Sequence, residues 1–122
     1  MSKSELEQRH ELMVRNLKKK GEAIFQDLSP HKADLWHMAS CICGEAGELF
    51  DAIKKYVIYD KPLDLTNVEE ELGDLEFYMA GLRLALLISR EQCLEANYDK
   101  LRARYPNETF SNEDAQLRRD KI

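Results

Sequence analysis

The sequence is poor in the residues that punctuate a chain: 122 positions hold five glycines and three prolines. So few turn formers argue against a sandwich or barrel of short strands, which needs a turn roughly every 8–12 residues. Cysteine is also scarce. Cys41, Cys43 and Cys93 make an odd set with no disulfide-framework spacing, so reduced, mostly buried thiols are expected. Cys41-x-Cys43 is no zinc half-site. Two residues apart on a helix, the thiols point to different faces, and no second Cys or His pair completes four ligands. There is no apolar run of about 18 residues, so no transmembrane helix is expected. The stretch from Met1 to Lys20 is charged and lacks a signal-peptide core, which points to a cytoplasmic protein. Positive charge is short as well: 18 Lys and Arg face 23 Asp and Glu, for a net −5. That balance argues against a nucleic acid polymer as partner. An acidic protein still takes an anionic ligand when a metal supplies the positive charge.

Hydrophobic residues make up 43% of the chain, enough for the core of a single domain. A domain this small gains buried area by oligomerising. Apolar residues recur at spacings of three and four, which predicts four helices and no strand, an all-α, four-helix bundle-like domain. The first helix runs from about Ser4 to Gln26, opened by a Ser4/Glu7 capping box and stopped by Ser29-Pro30. The second runs from about His31 to Tyr56 and carries the stripe Leu35, Met38 or Ala39, Ile42, Ala46, Leu49, Ile53, Val57. A loop over 59–64 follows. Thr66 with Glu69 reads as the capping box of the third helix, which extends to about Leu87 along Val68, Leu72, Leu75, Met79, Leu82 and Leu86. Ser89 with Gln92 opens the fourth, to about Arg104, with the stripe Leu94, Tyr98, Leu101, Tyr105 and a stop at Pro106. The core is expected over about 31–106, and the polar tail 107–122 either packs on it or hangs loose. The third helix has a second apolar side, Phe77, Ala80, Leu84 and Leu87, which suits a dimer interface.

Turning each helix by about 100° per residue shows where the polar groups fall. Glu45 and Glu48 lie together on one flank of their stripe, in line with His37, Cys41, Ala52 and Lys55. Glu71 and Asp74 lie on the same-handed flank of the third helix, with Asn67 and Tyr78. Asn97, Lys100 and Arg104 take that flank on the fourth. Side by side, these lines converge on one cleft. Four carboxylates there repel one another and resist desolvation, and a hard divalent cation relieves both strains. Magnesium fits, because it takes oxygen ligands and keeps several waters beside a phosphate. Lys100, Arg104 and Lys55 would neutralise phosphate oxygens at the edge of the site. The bland alternative, a solvated acidic face, has no use for Gly44, Gly47 and Gly73. Each costs a helix about 1 kcal/mol relative to alanine, and close helix approach near a site is the expected reason for them.

The strings Gly44-Glu45-Ala46-Gly47-Glu48-Leu49 and Glu70-Glu71-Leu72-Gly73-Asp74-Leu75 resemble the MazG-like nucleotide pyrophosphohydrolases, of the all-α NTP pyrophosphatase superfamily. That family's motif is E-E-x-x-E, a spacer, then E-x-x-D. Glu45, Glu48, Glu71 and Asp74 match it, and Gly44 replaces the first glutamate. The run from Asn97 to Pro106 resembles the family's last-helix segment, which contacts substrate through its Asn and Lys. Trp36-His37 is similar to the start of the metal-bearing helix in small members. The likeness spans about residues 31 to 118. It implies hydrolysis of an NTP or dNTP to the monophosphate and pyrophosphate, with magnesium or its substitute manganese, in a homodimer or homotetramer. Glu45 or Glu48 would serve as general base.

Other residues carry two readings. His37 meets base or sugar, or is a half-buried histidine satisfied by a neighbour. Trp36 stacks on a nucleobase, or anchors a core or interface. Lys55 contacts phosphate or is a surface lysine. Tyr78 hydrogen-bonds a ligand carboxylate, and Arg118 and Arg119 either close over phosphates or belong to a solvated tail. Two competing functions deserve weight. A di-iron bundle wants two Glu-x-x-His pairs, and the chain has only Glu7-x-x-His10. A non-enzymatic helical adaptor or regulatory dimer would use Phe77 and Leu84 as its surface, but needs no matched polar lines.

Overall fold

Capping chemistry sets the helix boundaries in a computed structural model, which describes residues 2–121. The described residues form six α-helices, one 3-10 turn (Arg119–Lys121) and no strand, so the all-helical expectation holds. The chain divides into two compact units between Ala33 and Asp34.

The first unit holds α1 (Glu5–Leu17) and α2 (Gly21–Asp27). The Ser4/Glu7 capping box is present, with the Ser4 side chain accepting from the Glu7 N–H and Glu7 returning to the Ser4 N–H. The single helix expected over 4–26 is two. Lys18 and Lys20 are extended. Gly21 is a poor helix former, so tertiary packing would be needed to carry one helix across this stretch. Leu6, Met13 and Leu17 stay exposed along α1.

α3 (Pro30–Val57) begins with proline in its first turn, where the missing N–H is not needed, and Ser29 Oγ accepts from Lys32 N–H at 3.2 Å. α4 (Leu65–Leu86) is capped by Asp64, whose carboxylate accepts from Asn67 N–H at 3.1 Å. The cap is thus not Thr66. Asp64 wins because a charged oxygen at a helix N-terminus outranks a hydroxyl two residues inside it. α4 ends on Leu87, which takes the left-handed conformation usually left to glycine, φ 57°. α5 (Arg90–Arg104) opens with the expected Ser89/Gln92 box.

In the second unit α3 and α4 run antiparallel. Met38 lies against Gly81, His37 near Tyr78, and Glu45 beside Glu71 and Asp74. Gly81 is where the helices come closest: a Cβ there would stand 2.5 Å from Met38 Sδ, and the methionine side chain would have to move. The reason expected for Gly44, Gly47 and Gly73 is not the operative one: a Cβ at each meets open space.

The tail does not hang loose. Ser111 caps α6 (Asn112–Leu117), and α6 and the 3-10 turn both pack on α5. Arg104 grips Asp120 through two parallel bonds, Nε to Oδ1 at 3.0 Å and Nη2 to Oδ2 at 3.1 Å. Arg118 also reaches Asp120, and Arg119 pairs with Asp114, so both arginines stay exposed as expected but are tied to carboxylates of the tail. The Arg104 guanidinium holds the Asp120 carboxyl well below the ordinary carboxylate range, against the opposing effect of burial.

A closed four-helix core is not what the single chain shows. Among the described residues only Ala52 and Glu71 are buried. Leu94 and Tyr98, half of the expected α5 stripe, are more than half exposed, and Phe77, Leu84 and Leu87 on the second side of α4 are 68%, 77% and 90% exposed. No helix among the described residues is long and apolar enough to cross a membrane.

Candidate metal centre and cleft

One of the two buried residues is a glutamate, and burying a carboxylate needs a reason. Glu71 sits in the second turn of α4, on the side that faces α3. There it meets Glu45. Asp74, one turn further along α4, completes a group whose carboxylate oxygens all lie within 4.8 Å of one another. Glu45 Oε2 and Glu71 Oε2 are buried with no hydrogen-bond partner among the described residues. Glu48 stands one turn along α3 from Glu45. It is exposed, adjoins Glu71 and lines the cleft beside the group.

Without a cation, this crowding forces protons on. The Glu71 carboxyl is pushed up to about 7, first by sharing a proton with Glu45, then by burial and by the charges of Glu48 and Glu45. Two orphaned oxygens, an elevated carboxyl and an all-oxygen donor set from two facing helices are what a hard divalent cation would satisfy. The residues present therefore fit a metal of that class.

The cleft has a volume of about 500 Å³ and is lined by Gly44, Gly47, Glu48, Asp51, Lys55, Asn67 and Glu71. Gly44 and Gly47 keep its α3 wall free of side chains. Gly73 is exposed, and nothing in the structure explains it. Lys55 borders the cleft as expected, but its Nζ is 3.1 Å from Asp51, which also pairs with Lys54 at 3.8 Å. Asp51 was not singled out from the sequence. The signal was available: it stands three residues beyond Glu48 and four before Lys55, both contact spacings on a helix.

At the other end of the α3–α4 interface, the His37 and Tyr78 rings stand 6.4 Å apart and tilted by 60°. The Tyr78 hydroxyl is raised above its ordinary value, chiefly by the Cys41 sulfur as a charge and hydrogen-bond partner, then by burial and by Glu45 and Asp74. Trp36 is 74% exposed. Asn97 and Lys100 are exposed on α5 and do not line the cleft. Arg104, expected on phosphate, is engaged by Asp120, so any phosphate contact would first have to break a bidentate pair whose carboxylate is 1% exposed.

The structure thus brings Glu45, Glu71 and Asp74 together, with Glu48 and Lys55 at the margin and His37 about two helical turns away. A model of the MazG nucleotide pyrophosphohydrolase domain matches residues 35–109, a span that contains every one of these side chains. No curated protein and no solved structure matches the chain. The acidic residues at the α3–α4 interface and the extent of that match lead to one assignment: the chain belongs to the MazG nucleotide pyrophosphohydrolase family.

Proposed function

We propose that the protein is a magnesium-dependent pyrophosphohydrolase that converts an NTP or dNTP to the monophosphate and pyrophosphate. The observation that carries this reading is the convergence of Glu45, Glu71 and Asp74, with two buried oxygens left unpartnered. Glu45, Glu48, Glu71 and Asp74 would hold the ion. Magnesium, when bound, supplies charge neutralisation for phosphate oxygens and a water of lowered pKa. The water oxygen bonds to the α-phosphorus, the bond from that phosphorus to the α,β-bridging oxygen breaks, and the bridging oxygen leaves with pyrophosphate. Glu45 or Glu48 takes the proton from the water. Lys55 offsets charge on the leaving group, and Asp51 holds its ammonium in place.

His37 and Trp36 lie at the nucleoside end in this arrangement, where an imidazole and an indole can contact sugar and base. Asn97 and Lys100 are assigned to substrate through the family likeness, and the exposed face of α5 leaves them available. Arg104 serves the tail in the state described and joins the site only if Asp120 releases it. The bare apolar side of α4 supports a homodimer or homotetramer, since Phe77, Leu84 and Leu87 gain most from a second copy. Three free cysteines suit a cytoplasmic nucleotide pool.

The same bare side of α4 is what a helical adaptor would present, and one assay separates the two. Pyrophosphate release is measured over a panel of nucleoside triphosphates, with magnesium and with chelator. Release that needs the metal supports the hydrolase, whereas silence across the whole panel favours the adaptor.

A further inference from the structure

The cleft does not end at Lys55. Lys55 and Asn67 also line a second chamber of about 250 Å³ at the α3–α4 turn, with Ala52, Lys61, Pro62 and Asp64. Lys55 and Asn67 line both chambers, so the two adjoin along the α3–α4 pair. Its chemistry is graded along the helix pair. The His37–Tyr78 rings stand at one end, the carboxylates in the middle, and the two lysines at the other end. At 1.5 Å per residue, His37 is about 12 Å from Glu45 along α3, and Lys55 is about 15 Å beyond Glu45 on the opposite side.

Lys61 differs from the neighbouring cations. Lys54 and Lys55 are paired with Asp51, whereas Lys61 has no carboxylate partner among the described residues. Its backbone is held: the Lys61 N–H donates to the Lys55 carbonyl at 3.1 Å, Pro62 restricts the residue before it, which is Lys61, and Asp60 adopts φ 49° to make the turn. The carboxylate lining this chamber, Asp64, is turned onto the Asn67 N–H as the cap of α4. A lysine with three unclaimed donors at the end of an acidic groove has one fitting ligand, the anionic end of a molecule whose middle sits on a cation.

We propose that the chamber at the α3–α4 turn receives the terminal phosphates of the substrate, with Lys61 the residue that distinguishes a nucleoside triphosphate from shorter nucleotides. This rests on the hydrolase reading above and adds a direction to it: nucleoside toward His37, phosphate tail toward the turn. Lys61 is then a binding residue for the leaving pyrophosphate rather than a proton carrier.

The test compares wild type with Lys61→Gln and Lys61→Arg, using dissolved nucleoside triphosphates and magnesium pyrophosphate. A lost charge-assisted contact corresponds to roughly tenfold in affinity. Lys61→Gln should therefore raise KM for the triphosphate and weaken pyrophosphate inhibition about tenfold, and Lys61→Arg should restore both to within about threefold. Values for Lys61→Gln within twofold of wild type, in a protein that still needs Glu71 for turnover, would overturn the chamber and leave the hydrolase standing. No turnover by wild type would instead overturn the hydrolase reading. Calorimetric binding of magnesium pyrophosphate to the three proteins then decides the chamber by itself, because equal affinity across them refutes it.

Discussion

Glu71 offers a test that needs no substrate. Its carboxyl is pushed up to about 7 in the metal-free protein, so binding a divalent cation must expel the proton that Glu71 and Glu45 share. The release follows the titration: it is large below about pH 7, where Glu71 carries its proton, and falls away as pH rises above it. Calorimetry of magnesium or manganese binding, repeated in buffers of different ionisation enthalpy, reads that trend directly. Glu71→Gln keeps the shape and a hydrogen bond to Glu45 but removes the titrating group, so its release should fall to near zero and its affinity should drop sharply. The sign also governs stability. Glu71 is raised above its unfolded value of 4.5, so the metal-free fold enjoys this contribution fully below that pH and loses it as pH rises through about 7. In chelator, wild type should melt lower at pH 8 than at pH 5, and Glu71→Gln should lack that part of the decline. Proton release that does not change between pH 6 and 8, or that is equal in Glu71→Gln, would refute the argument that crowded carboxylates form the metal centre.

Further expectations concern other parts of the molecule. Glu48→Gln and Asp74→Asn should each lower pyrophosphate release by at least about a hundredfold while far-ultraviolet circular dichroism stays unchanged. Gly73→Ala should raise unfolding stability by about 1 kcal/mol in urea titration, since its Cβ meets open space on an exposed helical position. A loss instead would show that a second copy packs on that backbone. Asp120→Asn should free α6 and the 3-10 turn, seen as faster amide exchange over residues 112–121. In wild type the Asp120 contribution is present above its unfolded value of 3.8 and fades as pH falls through its lower folded value, so tail protection should weaken only in strong acid. Phe77→Glu with Leu84→Glu should shift the protein toward monomer in sedimentation equilibrium, because charge on the bare side of α4 prevents apolar burial.

Local chemistry made much of this legible. The capping boxes at Ser4 and Ser89 are statements about three or four adjacent residues, and both formed. The carboxylate flanks were readable for the same reason: two E-x-x-E/D pairs with matching offsets need only helical periodicity and one packed helix pair to meet. Properties set by competition were not legible. Thr66 was expected to cap α4, but the cap is Asp64, because the position of the preceding turn decides which oxygen meets the free N–H groups. The first helix breaks between Leu17 and Gly21, which the apolar spacing alone does not reveal. The purpose of the glycines was inverted. Gly81, passed over in the sequence, meets Met38, while Gly44 and Gly47 border a cleft whose volume no helical projection displays. Arg104 was drawn toward phosphate by its flank, yet the carboxylate it engages lies sixteen residues ahead, in the tail that packs on α5. Lys61 lay in a loop outside every helical line, so only the three-dimensional turn could join it to Lys55.

Whether α3 and α4 together hold a divalent cation is decided by anomalous diffraction from crystals soaked in manganese chloride. A peak is expected between the two helices, within about 2.2 Å of carboxylate oxygens from Glu45, Glu71 and Asp74, with Glu48 near enough to share it. A map with no peak there at millimolar manganese, or with the ion on an acidic residue elsewhere on the surface, would contradict it.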